Sequence, residues 1–71
     1  MKSNPKTNDA VALLSDEVES GLARGQVGTV VEELDASSVL VEFSSDDGKA
    51  YAISPISSAN LLVLQYDREV A

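Results

Sequence analysis

Gly21-Leu22-Ala23-Arg24-Gly25-Gln26-Val27-Gly28-Thr29-Val30-Val31-Glu32 is the stretch on which the reading of the fold turns. Gly21 and Gly25 flank Leu22-Ala23-Arg24, a spacing suited to a turn whose ends need positive φ or freedom from a side chain. Gly28 falls inside a run rich in Val and Thr, residues that suit the pleated, half-buried surface of a strand. A glycine there marks a bulge, a sharp bend, or a point where another backbone comes close. A phosphate cradle would need a helix N-terminus and usually a Lys, and neither follows.

Working outward, Ala10-Val11-Ala12-Leu13-Leu14 is short and continuously apolar and reads as a strand. Residues 15–21 hold Asp16, Glu17 and Glu19 and read as a long solvated loop, with a helical turn capped by Ser15 or Asp16 as the alternative. Downstream of the glycines, residues 27–34 and 39–43 flank Asp35-Ala36-Ser37-Ser38, a cluster of hairpin length, and should pair antiparallel. In the second of these strands Val39, Val41 and Phe43 share one face, which belongs in the core, while Leu40, Glu42 and Ser44 share the other. Ser44-Ser45-Asp46-Asp47-Gly48-Lys49 is the strongest turn signal, since Asp47-Gly48 supplies residues tolerant of positive φ between two β-type runs. The return strand Ala50-Tyr51-Ala52-Ile53-Ser54 is expected to stop at Pro55, which cannot donate a ladder hydrogen bond. A connector over 55–60 with one turn of 3₁₀ helix then leads into a last strand, Leu61-Leu62-Val63-Leu64-Gln65. The prediction is an all-β chain of five short strands forming a small barrel over residues 9–65, with a flexible N-terminal tail (1–8) and a C-terminal tail (66–71).

Composition limits the function classes. In 71 residues there are 12 acids against 5 bases, a net charge of −7, and neither Cys nor His. Disulfides, thiolate nucleophiles and the usual zinc ligands are thereby removed together. Between Asp9 and Leu64 the cations are Arg24 and Lys49, too few for a stripe that displaces counterions from a nucleic acid. Anionic membranes are disfavoured for the same reason, no apolar run reaches the ~20 residues that span a bilayer, and residues 1–8 lack the apolar middle of a signal peptide. A soluble, cytoplasmic chain is expected, with no nucleic-acid or membrane partner and no cofactor.

Catalysis finds little support. Glu32 and Glu33 point to opposite faces of a regular strand, Asp46 and Asp47 are explained by their turn, and the serines lack a His or nearby Lys base. A weak divalent-cation site built from Asp16, Glu17 and Glu19, or from Asp46 and Asp47, is an alternative, although none of these segments has the spacing of a helical calcium loop. No enzyme is expected.

Ala12-Leu13-Leu14, the whole glycine stretch 21–32, Val41-Glu42-Phe43, Asp47-Gly48-Lys49 and Leu61 together resemble a family of small uncharacterised bacterial proteins, domain-of-unknown-function family 4926, over residues 9–64 or so. That resemblance implies an SH3-like barrel and supplies no activity, cofactor or catalytic residue. The Gly-x-x-Gly-x-Val rhythm is also similar to the KOW-type motif of ribosomal and transcription-elongation proteins, whose SH3-like barrels often contact RNA. Here the corresponding loop, Ser15-Asp16-Glu17-Val18-Glu19-Ser20, is acidic, which argues against a KOW-like nucleic-acid-binding role.

The remaining oddity is apolar surface in excess of what one interior can hold. Val11, Leu13, Leu40, Leu62 and Leu64 are candidates for a patch that contacts a partner protein or a second copy of the chain. The expected function is a non-catalytic protein-interaction module, with an accessory or antitoxin-like subunit as its extension; the acidic loops would favour a basic partner.

Overall fold

Alternation of small or polar with aliphatic residues is realised as strands throughout the computed structural model, which describes residues 4–44 and 50–64. Five strands follow one another: β1 (Ala10–Leu13), β2 (Val27–Asp35), β3 (Ser38–Ser44), β4 (Ala50–Ser57) and β5 (Leu61–Leu64). Short 3₁₀ turns at Val18–Ser20 and Ser58–Asn60 interrupt the connections, the second immediately before the last strand as expected. All pairings are antiparallel, in the order β4-β3-β2-β1-β5. The all-β, five-stranded expectation is met. Closure into a barrel is not: among the described residues no ladder joins β4 to β5, so the sheet stays open with these two strands as its edges.

Period-two alternation sends one face of the sheet inward. Val11 and Leu13 of β1, Val30 of β2, Val39, Val41 and Phe43 of β3, Ile56 of β4 and Leu61 of β5 are all buried, and Leu22 reaches in from the loop between β1 and β2. The Val39/Val41/Phe43 face is therefore core, as its pattern required. Val11 and Leu13 are core as well, with 0% and 2% of their surface exposed, which removes them from any partner surface. Their outward neighbours Ala10 and Ala12 are the small members of β1; inside a short apolar run the larger side chains took the interior, where each buried aliphatic contributes about 1.5–3 kcal/mol.

The three described glycines do different things. Gly21 (φ 72) ends the first 3₁₀ turn in the left-handed region, and Gly25 (φ 89) sits in the turn that returns the chain to β2. Gly28 has no unusual φ but is enclosed: a Cβ built on it would lie 2.7 Å from the Glu42 carbonyl oxygen, 2.8 Å from Val41 Cγ1 and 2.9 Å from Phe43 Cδ2. Close approach, rather than a bulge, is its reason. The bulges of β2 lie further on, at register shifts between Val30 and Glu32 and between Glu33 and Asp35. Gly48 and most of its turn lie outside the described residues.

Two connections depart from expectation. β4 runs through Pro55 to Ser57 rather than stopping. Because Val39 pairs with Ile56 and Val41 with Ser54, and the Ser58 N–H continues that ladder to the Ser37 carbonyl at 2.8 Å, the alternate residues Ile53, Pro55 and Ser57 face the free edge. A proline on that side forfeits no bond. Residues 4–8, whose composition predicts an unpacked arm, lie along β2. Pro5 is buried, the Asn8 N–H donates to the Val30 carbonyl at 2.7 Å, and Asn4 Nδ2 donates to the Ala36 carbonyl at 2.7 Å. The turn that allows this is closed by the Asp9 N–H on the Lys6 carbonyl and has Asn8 at φ 78, a conformation asparagine tolerates.

Candidate functional site

With the inner face taken up by the core, the outer face of the sheet is the one open to solvent. Register places Leu62, Ala12 and Val27 side by side across β5, β1 and β2, and sets Leu64, Ala10, Thr29, Glu42 and Ile53 in the next row across the whole sheet. Leu62, Val27 and Ile53 keep 50%, 54% and 58% of their surface exposed, whereas Leu40 and Leu64 are half-buried. Leu62 and Leu64 are thus joined by the alanines of β1 into one apolar area. Leu40 shares the face but stands three strands away on β3, about 14 Å from β5 at the usual strand spacing. It keeps company with Pro55 instead, and Glu42 lies between the two apolar areas. The expected cluster of Leu40 with Leu62 and Leu64 is therefore two patches.

Ile53 and Val27 are each exposed over a larger fraction of their surface than any residue the sequence marked. Ile53 was recoverable by counting: it lies an odd number of positions from buried Ile56, so a strand running through Pro55 must turn it outward.

One end of the sheet is organised by Asn60. Its Nδ2 donates to Glu17 Oε2 at 2.7 Å and to the Ser15 carbonyl at 3.2 Å, while its Oδ1 accepts from Ser15 Oγ at 2.7 Å. The acidic loop is thereby tied to the turn preceding β5. It is solvated as its composition predicts, residues 15–21 being exposed except for half-buried Glu17, but it is also pinned: Glu17 and Leu22 bridge antiparallel across it, Asp16 Oδ1 accepts the Arg24 N–H at 2.8 Å, and the 3₁₀ turn starts after Glu17 with no side-chain cap from Ser15 or Asp16. None of these bonds is written in a motif, and those of Asn60 join residues more than forty positions apart.

Asp16, Glu17 and Glu19 do not converge, and no group of three or more acids able to hold a metal ion occurs among the described residues. Asp46 and Asp47 lie outside them. Glu32 and Glu33 face Leu40 and Val39 respectively across the ladder, and Glu33 is drawn to the arm, where its Oε2 accepts from the Thr7 N–H at 3.4 Å. At the tip of the β2–β3 hairpin, Asp35 Oδ1 accepts from the Ser37 N–H at 2.8 Å and from the hydroxyls of Ser38 and Ser37 at 2.9 and 3.2 Å. The backbone bond from Ser37, followed by the Ser38 hydroxyl, holds this carboxyl below its ordinary 3.8. It is a turn lock. Ser58 Oγ is the buried side-chain polar atom left without a partner among the described residues. No helix among them is long and apolar enough to cross a membrane.

The model of one protein family, described as a domain of unknown function (DUF4926), matches residues 7–63. The chain belongs to this family. The match spans all five strands almost to the end of β5 and includes the outer face and the Asn60 junction. No curated protein and no solved structure matches the chain.

Proposed function

We propose that this DUF4926 chain is a non-catalytic protein-interaction module, a cytoplasmic and bacterial one, that reads a basic protein with the outer face of its sheet. We read the open sheet as an SH3-like domain left unclosed. The observation that carries the proposal is the outer face itself, where Leu62, Val27 and Ile53 are half or more exposed, the first two in one row across the sheet and Ile53 at the end of the next, beside Glu42. Single exposed aliphatics are ordinary, but several on one sheet face with a carboxylate among them have the make-up of a contact surface: apolar anchors with a charge that selects sign. The net charge of −7 favours a cationic partner and opposes a second copy of the same chain. An accessory or antitoxin-like role, in which a small acidic chain covers a larger basic protein, follows from the same charge.

The test is affinity capture from the organism's own extract with the full chain and with an Ile53→Lys/Leu62→Lys variant. A basic protein held by the former, released by salt and absent from the latter, is the expected result. Identical captures by both chains would remove the face from consideration.

A further inference from the structure

Resting on the interaction reading above, we infer that the free edge of β5 adds an extended, lysine- or arginine-flanked segment of the partner as a sixth strand. The direction of the backbone groups on β5 follows from its pairing with β1. The Leu14 N–H donates to the Asn60 carbonyl at 2.9 Å, and the same register sets Ala12 against Leu62 and Ala10 against Leu64. Hydrogen-bonded pairs alternate along an antiparallel ladder, so residues 60, 62 and 64 turn their N–H and C=O groups to β1, and Leu61 and Val63 turn theirs away. The Leu61 N–H is taken by the Ser58 carbonyl as the 3₁₀ turn closes. Left facing outward are the Leu61 carbonyl and both backbone groups of Val63, which no described residue engages.

The two edges of the sheet are treated differently. On β4 the edge-facing positions include Pro55, which has no N–H to offer, and a register shift between Phe43 and Ser44 disturbs the ladder beside it. These are devices that block edge-to-edge pairing. β5 has none: Leu61-Leu62-Val63-Leu64 contains no proline, no charge and no bulge. A strand laid against it would exchange two hydrogen bonds with Val63, donate a third to Leu61, and set alternate side chains beside Leu62 and Leu64 on the outer face, the arrangement used in strand addition.

Charge selects the occupant. Glu17 is held at the start of β5 by Asn60, and Asp9 precedes Ala10, the partner of Leu64, at its other end. A carboxylate thus stands at the start of the edge in a chain of net charge −7, while that of Asp9 is turned to the arm and accepts the Lys6 N–H at 2.9 Å; the charge favours cationic flanks and disfavours a second copy.

The test follows amide hydrogen exchange of the full chain with a short synthetic peptide of alternating valine and threonine bearing paired lysines at both ends, and with its glutamate-ended twin. In the free chain the Leu62 and Leu64 amides should be slow and Val63 fast. The lysine peptide well above its Kd should slow Val63 by at least about tenfold, and the glutamate peptide should not. Val63→Pro, which deletes the outward N–H and leaves the β1 ladder intact, should abolish peptide binding. Should that variant fail to fold, the exchange data on the unsubstituted chain decide alone. No slowing of Val63, equal slowing by both peptides, or protection that rises with protein concentration in the absence of peptide would each overturn the proposal, the last in favour of a second copy. A partner captured by Val63→Pro but lost by Ile53→Lys/Leu62→Lys would sink the edge and leave the interaction reading standing. A chain that captures nothing, yet whose Val63 is protected by the lysine peptide, would sink only that earlier reading.

Discussion

Replacing Gly28 by alanine adds a single methyl group, and the structure says what that methyl meets. Its nearest neighbours would be the Glu42 carbonyl oxygen at 2.7 Å, Val41 Cγ1 at 2.8 Å and Phe43 Cδ2 at 2.9 Å. The first is backbone of the adjacent strand and cannot rotate away; the other two belong to side chains with no exposed surface. Relief requires β2 and β3 to separate locally, weakening the ladder in which Gly28 pairs with Phe43 and Thr29 with Glu42. Overpacking of this kind costs about 1–3 kcal/mol, and the backbone contact puts Gly28→Ala at the upper end. A domain of this length has roughly 4–10 kcal/mol to lose, so about 3 kcal/mol is a large share. It corresponds to a fall in Tm of about 12–24 °C. Gly28→Val should leave the chain unfolded at room temperature. Thermal denaturation followed by far-ultraviolet circular dichroism reads the effect directly. A Gly28→Ala chain melting within about 2 °C of the parent would refute the claim that close approach explains the glycine.

Asn60→Ala removes three side-chain bonds between the acidic loop and the turn before β5 and should cost about 1–2 kcal/mol, seen as a urea midpoint about 1 M lower. Asn60→Asp should fare worse, because it sets a second carboxylate against Glu17; equal midpoints for both variants would contradict the geometry. Asp35 titrates lower in the folded chain than in the unfolded one, so its stabilisation is complete above about pH 3.8 and is lost as pH falls through the folded value. The Tm difference between the parent and Asp35→Ala should therefore shrink on acidification below that point, and a difference independent of pH would show that the Ser37 and Ser38 bonds do not set the turn. Pro55→Val restores an N–H to the β4 edge and should raise the solution mass by light scattering above that of the parent at equal concentration. An unchanged mass would mean that Pro55 guards nothing.

Much of this fold is legible in the chain because its signals are local. The turn at Asp35-Ala36-Ser37-Ser38, the Val39/Val41/Phe43 face and the 3₁₀ turn before β5 each depend on neighbouring residues. What escapes depends on residues far apart. In β1, Val11 and Leu13 alternate with alanines, and nothing within five residues says which side is the interior; packing against Val30, Phe43 and Leu61 decides it. Pro55 reads as a stop only if β4 is assumed to need hydrogen bonds on both sides, and its place at the edge is a property of the whole sheet. Asn60 looks like an ordinary connector residue until the loop from Ser15 to Glu17 arrives beside it. The arm from Asn4 to Asn8 is polar and short, yet buried Pro5 and the bonds from Asn4, Thr7 and Asn8 to β2 and its hairpin seat it. The candidate surface suffered most, since a two-residue repeat cannot tell inward from outward when both sides are apolar.

The order of pairing also has a temporal consequence. The neighbours β2, β3 and β4 are close in sequence and can zip together as soon as they exist, but β1, made first, receives its outer partner only when Leu61 to Leu64 arrive. Ala10 must wait for Leu64, almost the entire length of the domain, and such distant contacts are the slow ones to form. During synthesis the β1 flank is therefore a bare template next to a nearly finished meander, and the last four strand residues act as the latch that retires it. Truncations that stop short of Leu61 should be aggregation-prone for this reason, even though they keep most of the core.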